Sequence, residues 1–250
     1  MKIIVNPRYS HLSAYVHKIP EQNYSKEAVI RDDRNIIWRD TVDGVQMVIK
    51  QYKKPTVFNR FMYSFFRKSK ARRSYEYAFK LREMGIGTAK PIAYIEEKKN
   101  GLFHTGYFIS KYISHPLLST VGEYDEETSI KIMQDFIQFT VNMHEKGVIH
   151  YDYNLSNILF YKEGESYKFE LIDINRMRFN SYSKRKCMKA LKTLTLHLPQ
   201  FVAVVEQYGV LRKWNPELFC GVLLMKRGYN NIRLRIKHRL KAIIGLIYQE

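Results

Sequence analysis

The sequence predicts an α+β fold, with a small antiparallel β lobe carrying one main helix and a larger, mainly helical lobe after it. Three observations carry this. Strand-like runs at 28–31, 35–41 and 45–51 are separated by an Asp32-Asp33 turn and an Asp43-Gly44 turn, and Asp-Gly between such runs is a strong hairpin signal. Residues 69–84 and 125–146 read as helices, each closed by a glycine, Gly85 and Gly147, in the position that ends helices most cheaply. Between 150 and 175 a polar loop, a hairpin pattern and a second polar turn follow one another. With 250 residues and 45% hydrophobic content the chain can bury a full core. It is read as one domain, with lobes at 1–112 and 113–250.

Taken in order, residues 1–24 alternate loosely and supply an opening strand. The third strand-like run, Val45-Gln46-Met47-Val48-Ile49-Lys50, ends on a lysine. Lys50 is either a solvated edge residue or a phosphate-pairing lysine of the kind that closes a V-A-I-K strand. In the helix at 69–84, Glu76 is the only carboxylate before Glu83. It is the candidate ion-pair partner of Lys50, or else an exposed helix charge. Strands are expected at 92–96 and 106–110, and a connector at 110–114 whose backbone would meet an adenine edge. On the helix at 125–146, Asp125 is a plausible N-cap. Ile130, Met133, Ile137, Val141 and His144 recur at helical spacing and mark its buried face. Further helices are expected at 184–198, 201–208 and 216–225. A basic helix with an apolar stripe from Ile232 to Ile247 ends the chain.

The residues from His150 to Asn157 match a loop of the form H-x-D-x-x-x-x-N, with Asn157 five positions after Asp152. In phosphoryl-transfer enzymes such a loop supplies an Asp that takes the acceptor hydroxyl proton and an Asn that holds magnesium. Asp173 lies sixteen residues beyond Asn157, behind the run 169–172. A hairpin of 158–161 and 167–172 fills that interval and would return Asp173 to share a metal with Asn157. The competing reading is a turn capped by Asp and Asn beside an unrelated strand. His150 is assigned to orienting the loop and His144 to a hydrogen-bonded core position. Asn175 stands where a glycine would be usual, because Asn tolerates positive φ.

Lys and Arg number 42 against 24 Asp and Glu, a formal charge of +18, which favours polyanionic partners. Residues 51–75 hold eight of these cations and no acid, interleaved with Tyr52, Phe58, Phe61, Tyr63, Phe65, Phe66 and Tyr75. That pattern suits an anionic bilayer. It also fits nucleic acid, or aromatics packed inward beneath solvated charges; the bilayer is the preferred reading and nucleic acid the least. Cys187 and Cys220 lack metal-ligand spacing and read as buried, reduced thiols. No run approaches the length of a membrane span, so membrane contact would be peripheral.

At 150–157 and 171–179 the chain resembles the Kdo/WaaP-type lipopolysaccharide kinases, small bacterial relatives of the protein-kinase fold. The similarity runs from about Ala28 to Phe179. It rests on the loop HYDYNLSNILF, the segment LIDINRMRF, and MVIKQYKKP followed by KARRSYEYAFKLREMGIGTAKPIAY. The resemblance implies a bilobal kinase-like fold. It also implies ATP- and Mg2+-dependent phosphorylation of a Kdo or heptose hydroxyl in the lipopolysaccharide inner core, at the cytoplasmic face of the inner membrane. Carried over by position, Asp152 would be the base, Asn157 and Asp173 the metal ligands, and Lys50 with Glu76 the phosphate-positioning pair. The departures argue against a Ser/Thr protein kinase: Tyr151 replaces the Arg of H-R-D, Ile174-Asn175 replaces Phe-Gly, and no glycine-rich loop precedes Lys50. The rival readings are a kinase with another small-molecule or protein acceptor, and an inactive basic module that binds membrane or nucleic acid.

Overall fold

A computed structural model of the chain describes residues 1–22, 28–32 and 35–229. It divides into two compact units, Met1–Pro116 with Phe169–Met177, and Leu117–Lys168 with Arg178 onward. The expected boundary at 112/113 therefore moves to Pro116, and the segment holding Asp173 belongs to the first unit. The expected terminal helix, Ile232 to Ile247, lies outside the described residues.

In the first unit the elements are β1 (Lys2–Val5), α1 (Ser13–Lys18), β2 (Val29–Asp32), β3 (Asn35–Val42), β4 (Val45–Tyr52), α2 (Val57–Phe65), α3 (Lys70–Glu83), β5 (Gly87–Thr88), β6 (Pro91–Lys99) and β7 (Leu102–Lys111). Six strands form one antiparallel sheet in the order β1-β6-β7-β4-β3-β2. Asp43 and Gly44 both take positive φ, as do Asn100 and Gly101, which gives each hairpin the twist its strands need. The Asn100-Gly101 signal also explains why β6 and β7 outrun the expected 92–96 and 106–110.

The period-2 alternation of β4 sorts its side chains. Met47 and Ile49 are fully buried with Trp38, Ile95 and Ile109 against Leu12 and Val16, beside α1. Tyr52 points the other way and is buried with Ala71 and Tyr75 of α3 and Tyr94. Each such burial contributes roughly 1.5–3 kcal/mol. Lys50, two residues before Tyr52, shares the α3 face. Ser69 caps α3, its Oγ accepting from the Arg72 N–H at 3.1 Å, and Gly85 at φ +68° ends it.

The second unit is built on α4 (Glu126–Glu145), capped by Asp125, whose Oδ1 accepts from the Thr128 N–H at 2.8 Å. Gly147, at φ +71°, turns the chain into β8 (Ile149–His150). Strand β9 (Ile158–Glu163) follows, and through Gly164 at φ +60° the chain enters β10 (Ser166–Leu171), whose residues from Phe169 on belong to the first unit. Then come α5 (Lys184–Leu191), α6 (Leu198–Leu211) and α7 (216–229). The helix expected at 184–198 stops at Leu191, where a turn intervenes. The buried face of α4 also differs from expectation. Ile130 is 51% exposed, while Ile132, Phe136, Thr140 and Met143 are buried with Ile137, Val141 and His144. The larger Phe136 ring takes the core position because it stacks on Tyr153, centroids 5.8 Å apart.

His144 is fully buried, with Nδ1 2.9 Å from the Tyr208 hydroxyl. Burial, with the Arg212 guanidinium adding to it, lowers its pKa from 6.5 to about 3. The folded state thus refuses a proton that the unfolded chain accepts below 6.5, so stability falls as pH drops through that window. Between pH 6.5 and 5 His144 accounts for a loss of about 2 kcal/mol. Urea unfolding of wild type against His144→Gln checks this, since the variant lacks that component of the pH slope.

Candidate active site

In the first unit, Lys50 and Asp173 meet as an ion pair, Nζ to Oδ1 2.7 Å, both side chains largely shielded from water. The sequence sets each in place locally. Lys50 is the sixth residue of β4, held between Ile37 on β3 and Phe108 on β7. Asp173 follows the end of β10, whose Glu170 and Leu171 pair in parallel with Gly87 and Thr88. Thr88 Oγ1 donates to the Leu171 carbonyl at 2.7 Å. A side chain at Gly87 has no room, since a Cβ there would stand 2.4 Å from the Phe169 carbonyl oxygen.

Asp173 itself adopts φ +52°, ψ +42°, a left-handed conformation that only Gly, Asn and Asp visit at modest cost. Asn175, expected at positive φ, instead lies in the right-handed turn 174–176. Its Nδ2 donates to Asp173 Oδ1. The strained residue is thus the carboxylate, which is the pattern of a functional position held by its surroundings.

Glu76 does not pair with Lys50. Its carboxylate is held by Lys68 at 2.7 Å and Arg72 at 2.8 Å. Burial alone would raise its pKa, but the hydrogen bonds from Lys68 and Arg72 outweigh it and hold the carboxyl below its ordinary value. The physical reason is helical phase. Ser74 faces the β4 side, bonded to the Tyr52 hydroxyl at 2.8 Å, and two residues further along a helix is a rotation of about 200°.

The residue found instead is Lys70, the first of α3. Its Nζ and that of Lys50 lie 5.9 and 5.3 Å from the Tyr52 ring centre. Burial lowers the pKa of Lys70; Arg176, Arg73 and Lys50 lower it further while Asp173 opposes them. Four cations therefore act around one carboxylate. The sequence did carry a signal: Lys70, Arg72 and Arg73 occupy the first turn of α3 with no acid among them, against the helix dipole. Such a turn, with its cations at the positive end of the helix dipole, attracts phosphate.

In the second unit the loop after β8 is pinned from several sides. His150, fully buried, accepts the Asp152 N–H on Nδ1 at 3.0 Å, which puts the ring proton on Nε2. This is the orienting job the sequence assigned to it. Tyr153 is buried, its hydroxyl 2.8 Å from Thr140 Oγ1, and its carbonyl accepts from Thr193 Oγ1 at 2.9 Å. Lys189 Nζ sits 4.5 Å from the Tyr151 ring centre, so the residue replacing Arg binds a cation through its ring face. Asn157 Nδ2 donates to the Asp152 carbonyl at 2.9 Å. That bond uses one of the two amide N–H donors and orients the carboxamide, whose Oδ1 is the atom able to accept a cation.

Taken singly, the donor atom in each unit is a hard oxygen of the kind magnesium takes. Asp173 offers a carboxylate and Asn157 a carboxamide oxygen. Among the described residues no cluster of three or more His, Cys, Asp or Glu forms a closed metal cage. Cys187 and Cys220 are buried free thiols, and burial raises the pKa of both.

No curated protein sequence matches the chain. Among solved structures, that of WaaP in complex with acyl carrier protein is similar, with a TM-score of 0.61 and 15% identity over 92% of this chain and 99% of that one. This likeness bears on the fold, a mixed α+β arrangement of antiparallel sheet and helices. The model of the lipopolysaccharide kinase (Kdo/WaaP) family matches residues 25–205, an interval holding Lys50, Lys70, Asp152, Asn157 and Asp173. By that match the chain belongs to the lipopolysaccharide kinase (Kdo/WaaP) family, and it is a kinase of the lipopolysaccharide core, an activity that implies ATP as phosphoryl donor.

Proposed function

We propose that the enzyme transfers the γ-phosphoryl group of ATP, with magnesium, to a hydroxyl of Kdo or heptose in the lipopolysaccharide inner core. It does so on a bilobal, protein-kinase-like scaffold, peripherally bound at the inner face of the inner membrane. The observation that carries this reading is the Lys50–Asp173 ion pair. It brings a strand-borne lysine, the residue type that holds phosphates in kinases, beside a carboxylate of the type that binds their magnesium.

Asp152 accepts the proton of the sugar hydroxyl as its oxygen bonds to the γ-phosphorus and the bond to the β-phosphate oxygen breaks. Asn157 and Asp173 would each offer an oxygen to magnesium, which when bound would neutralise charge on the phosphates. Lys50 and Lys70 hold phosphate oxygens, and Lys70 with the first turn of α3 supplies cationic contact in the absence of a glycine-rich loop. Glu76, bound to Lys68 and Arg72, keeps the start of α3 rigid. The excess of cations draws in an acidic, lipid-borne acceptor.

The test is transfer of labelled γ-phosphate to a glycolipid extract from Gram-negative cells, wild type beside Asp152→Ala. Label in the glycolipid should fall by about 10²–10⁴-fold in the variant, the usual worth of a general base. Label appearing instead in soluble sugar or protein would overturn the acceptor, and equal label in both enzymes would overturn the role of Asp152.

A further inference from the structure

Helix α2 is built inside out. Its polar residues face the protein: Arg60 Nε donates to the Phe103 carbonyl at 2.8 Å and its Nη2 to the Lys99 carbonyl at 3.4 Å. Ser64 Oγ accepts from the Phe103 N–H at 2.8 Å. Apolar residues on its outer side face solvent, with Val57 72%, Phe58 70%, Phe61 47% and Phe65 63% exposed, and Phe66 69% exposed just beyond, while Met62 and Tyr63 are half-buried and Tyr63 packs on Phe103. Phe61, Phe65 and Phe66 touch one another, with ring centres 5.1–6.4 Å apart. Folding gains nothing from such a face, and a contiguous exposed apolar patch of this kind marks a surface that something else covers.

Charge says what covers it. The helix is flanked by Lys53 and Lys54 before it and Arg67 and Lys68 after it, all exposed, and residues 51–75 contain no acid. At its C-terminal end lies an open basin of about 490 Å³, lined by Phe66, Arg67, Lys68, Arg72, Lys2 and Lys98. Glu96 also lines it, and Glu76 engages Lys68 and Arg72, so cations remain in excess. Aromatic rings beside a cationic basin match the two layers of an anionic bilayer surface, acyl chains and phosphates.

We propose that α2 is the docking surface of the first unit for an anionic bilayer, with its phenylalanines entering the acyl boundary and the basin taking a lipid headgroup phosphate. This deepens the membrane contact proposed above and rests on that reading. Docking at α2 would hold a lipid-borne acceptor and the enzyme on the same surface.

The test uses the full chain with vesicles of phosphatidylglycerol and phosphatidylethanolamine, and with phosphatidylcholine alone, in a co-sedimentation assay. Wild type should bind the anionic vesicles at least tenfold more tightly. Phe58→Ser with Phe65→Ser should lose at least tenfold on them, and Lys2→Glu with Lys98→Glu should flatten the salt dependence. All four positions are exposed, so thermal unfolding and transfer to detergent-dispersed acceptor should stay at wild-type values. Transfer that fails in wild type while vesicle binding still depends on α2 would refute the acceptor and leave the docking surface standing. Vesicle binding untouched by the phenylalanine substitutions would overturn the proposal. So would a wild-type dimer that those substitutions dissolve, which would make α2 an interface between two copies.

Discussion

Replacing Asp173 by Asn is expected to lower turnover by about 10³-fold while the protein stays folded. The change is isosteric but deletes the negative charge that Lys50 faces at 2.7 Å. Removing one preorganised electrostatic group at the transferring phosphoryl typically costs about 10²–10³ in kcat, and under the proposed function the same substitution also trades a carboxylate for a weaker carboxamide ligand to magnesium. The Asn175 amide, which donates to Asp173 Oδ1, can still bond an Asn oxygen, so the left-handed turn has no new reason to unravel. Single-turnover kinetics give the chemical step, calorimetry gives magnesium-dependent ATP binding, and thermal unfolding reports the fold. Loss of both binding and turnover with a near-native Tm supports the assignment. Wild-type turnover would remove Asp173 from the site.

Lys70→Ala is expected to raise the KM for ATP by roughly 10–100-fold, the value of a charge-assisted hydrogen bond of about 1.5–3 kcal/mol. Its Nζ and that of Lys50 flank one aromatic ring at 5.9 and 5.3 Å, close enough that the two should not act independently. A cycle of Lys50→Ala, Lys70→Ala and the double variant should show a coupling of about 0.5–3 kcal/mol in kcat/KM. Lys70→Arg should recover much of the loss, since the charge returns. A purely structural role would instead shift Tm, leave the KM for ATP unchanged, and show no rescue specific to charge. By contrast Glu76→Gln should change KM little, because Glu76 faces Lys68 and Arg72.

Much of the site's raw material was legible because it depends on short-range chemistry. The interval from Asp152 to Asn157 is one tight loop, and the hairpin turn at Gly164 is a local conformational demand; both belong to the sequence. So do the cap Asp125 and the stops Gly85 and Gly147, whose positive φ values were needed to end α3 and α4. The glycine-like role given to Asn175 failed by two residues. A residue type that tolerates positive φ is not thereby required to adopt it, and Asp173 tolerates it too.

What the sequence could not decide was which long side chains share a face. Lys50 and Asp173 are far apart in the chain, and only the pairing of β4 with β3 and β7 and of β10 with β5 brings them together. Glu76 was the only acid on α3 before its last residue, Glu83, so composition nominated it; the rotation of α3 about its axis, set by Ser74 against Tyr52 and Ala71 in the core, turned it away and presented Lys70. The outward phenylalanines of α2 were likewise ambiguous in sequence, since buried and exposed aromatics look alike. Arg60 and Ser64 settled it by taking the backbone groups of Phe103 and Lys99. By itself the sequence determined strands, caps, turns and the polar loop, because these obey neighbours a few residues away. Helix rotation and strand pairing decided the partners of Lys50, Glu76 and Lys70, because those follow from how a whole core packs.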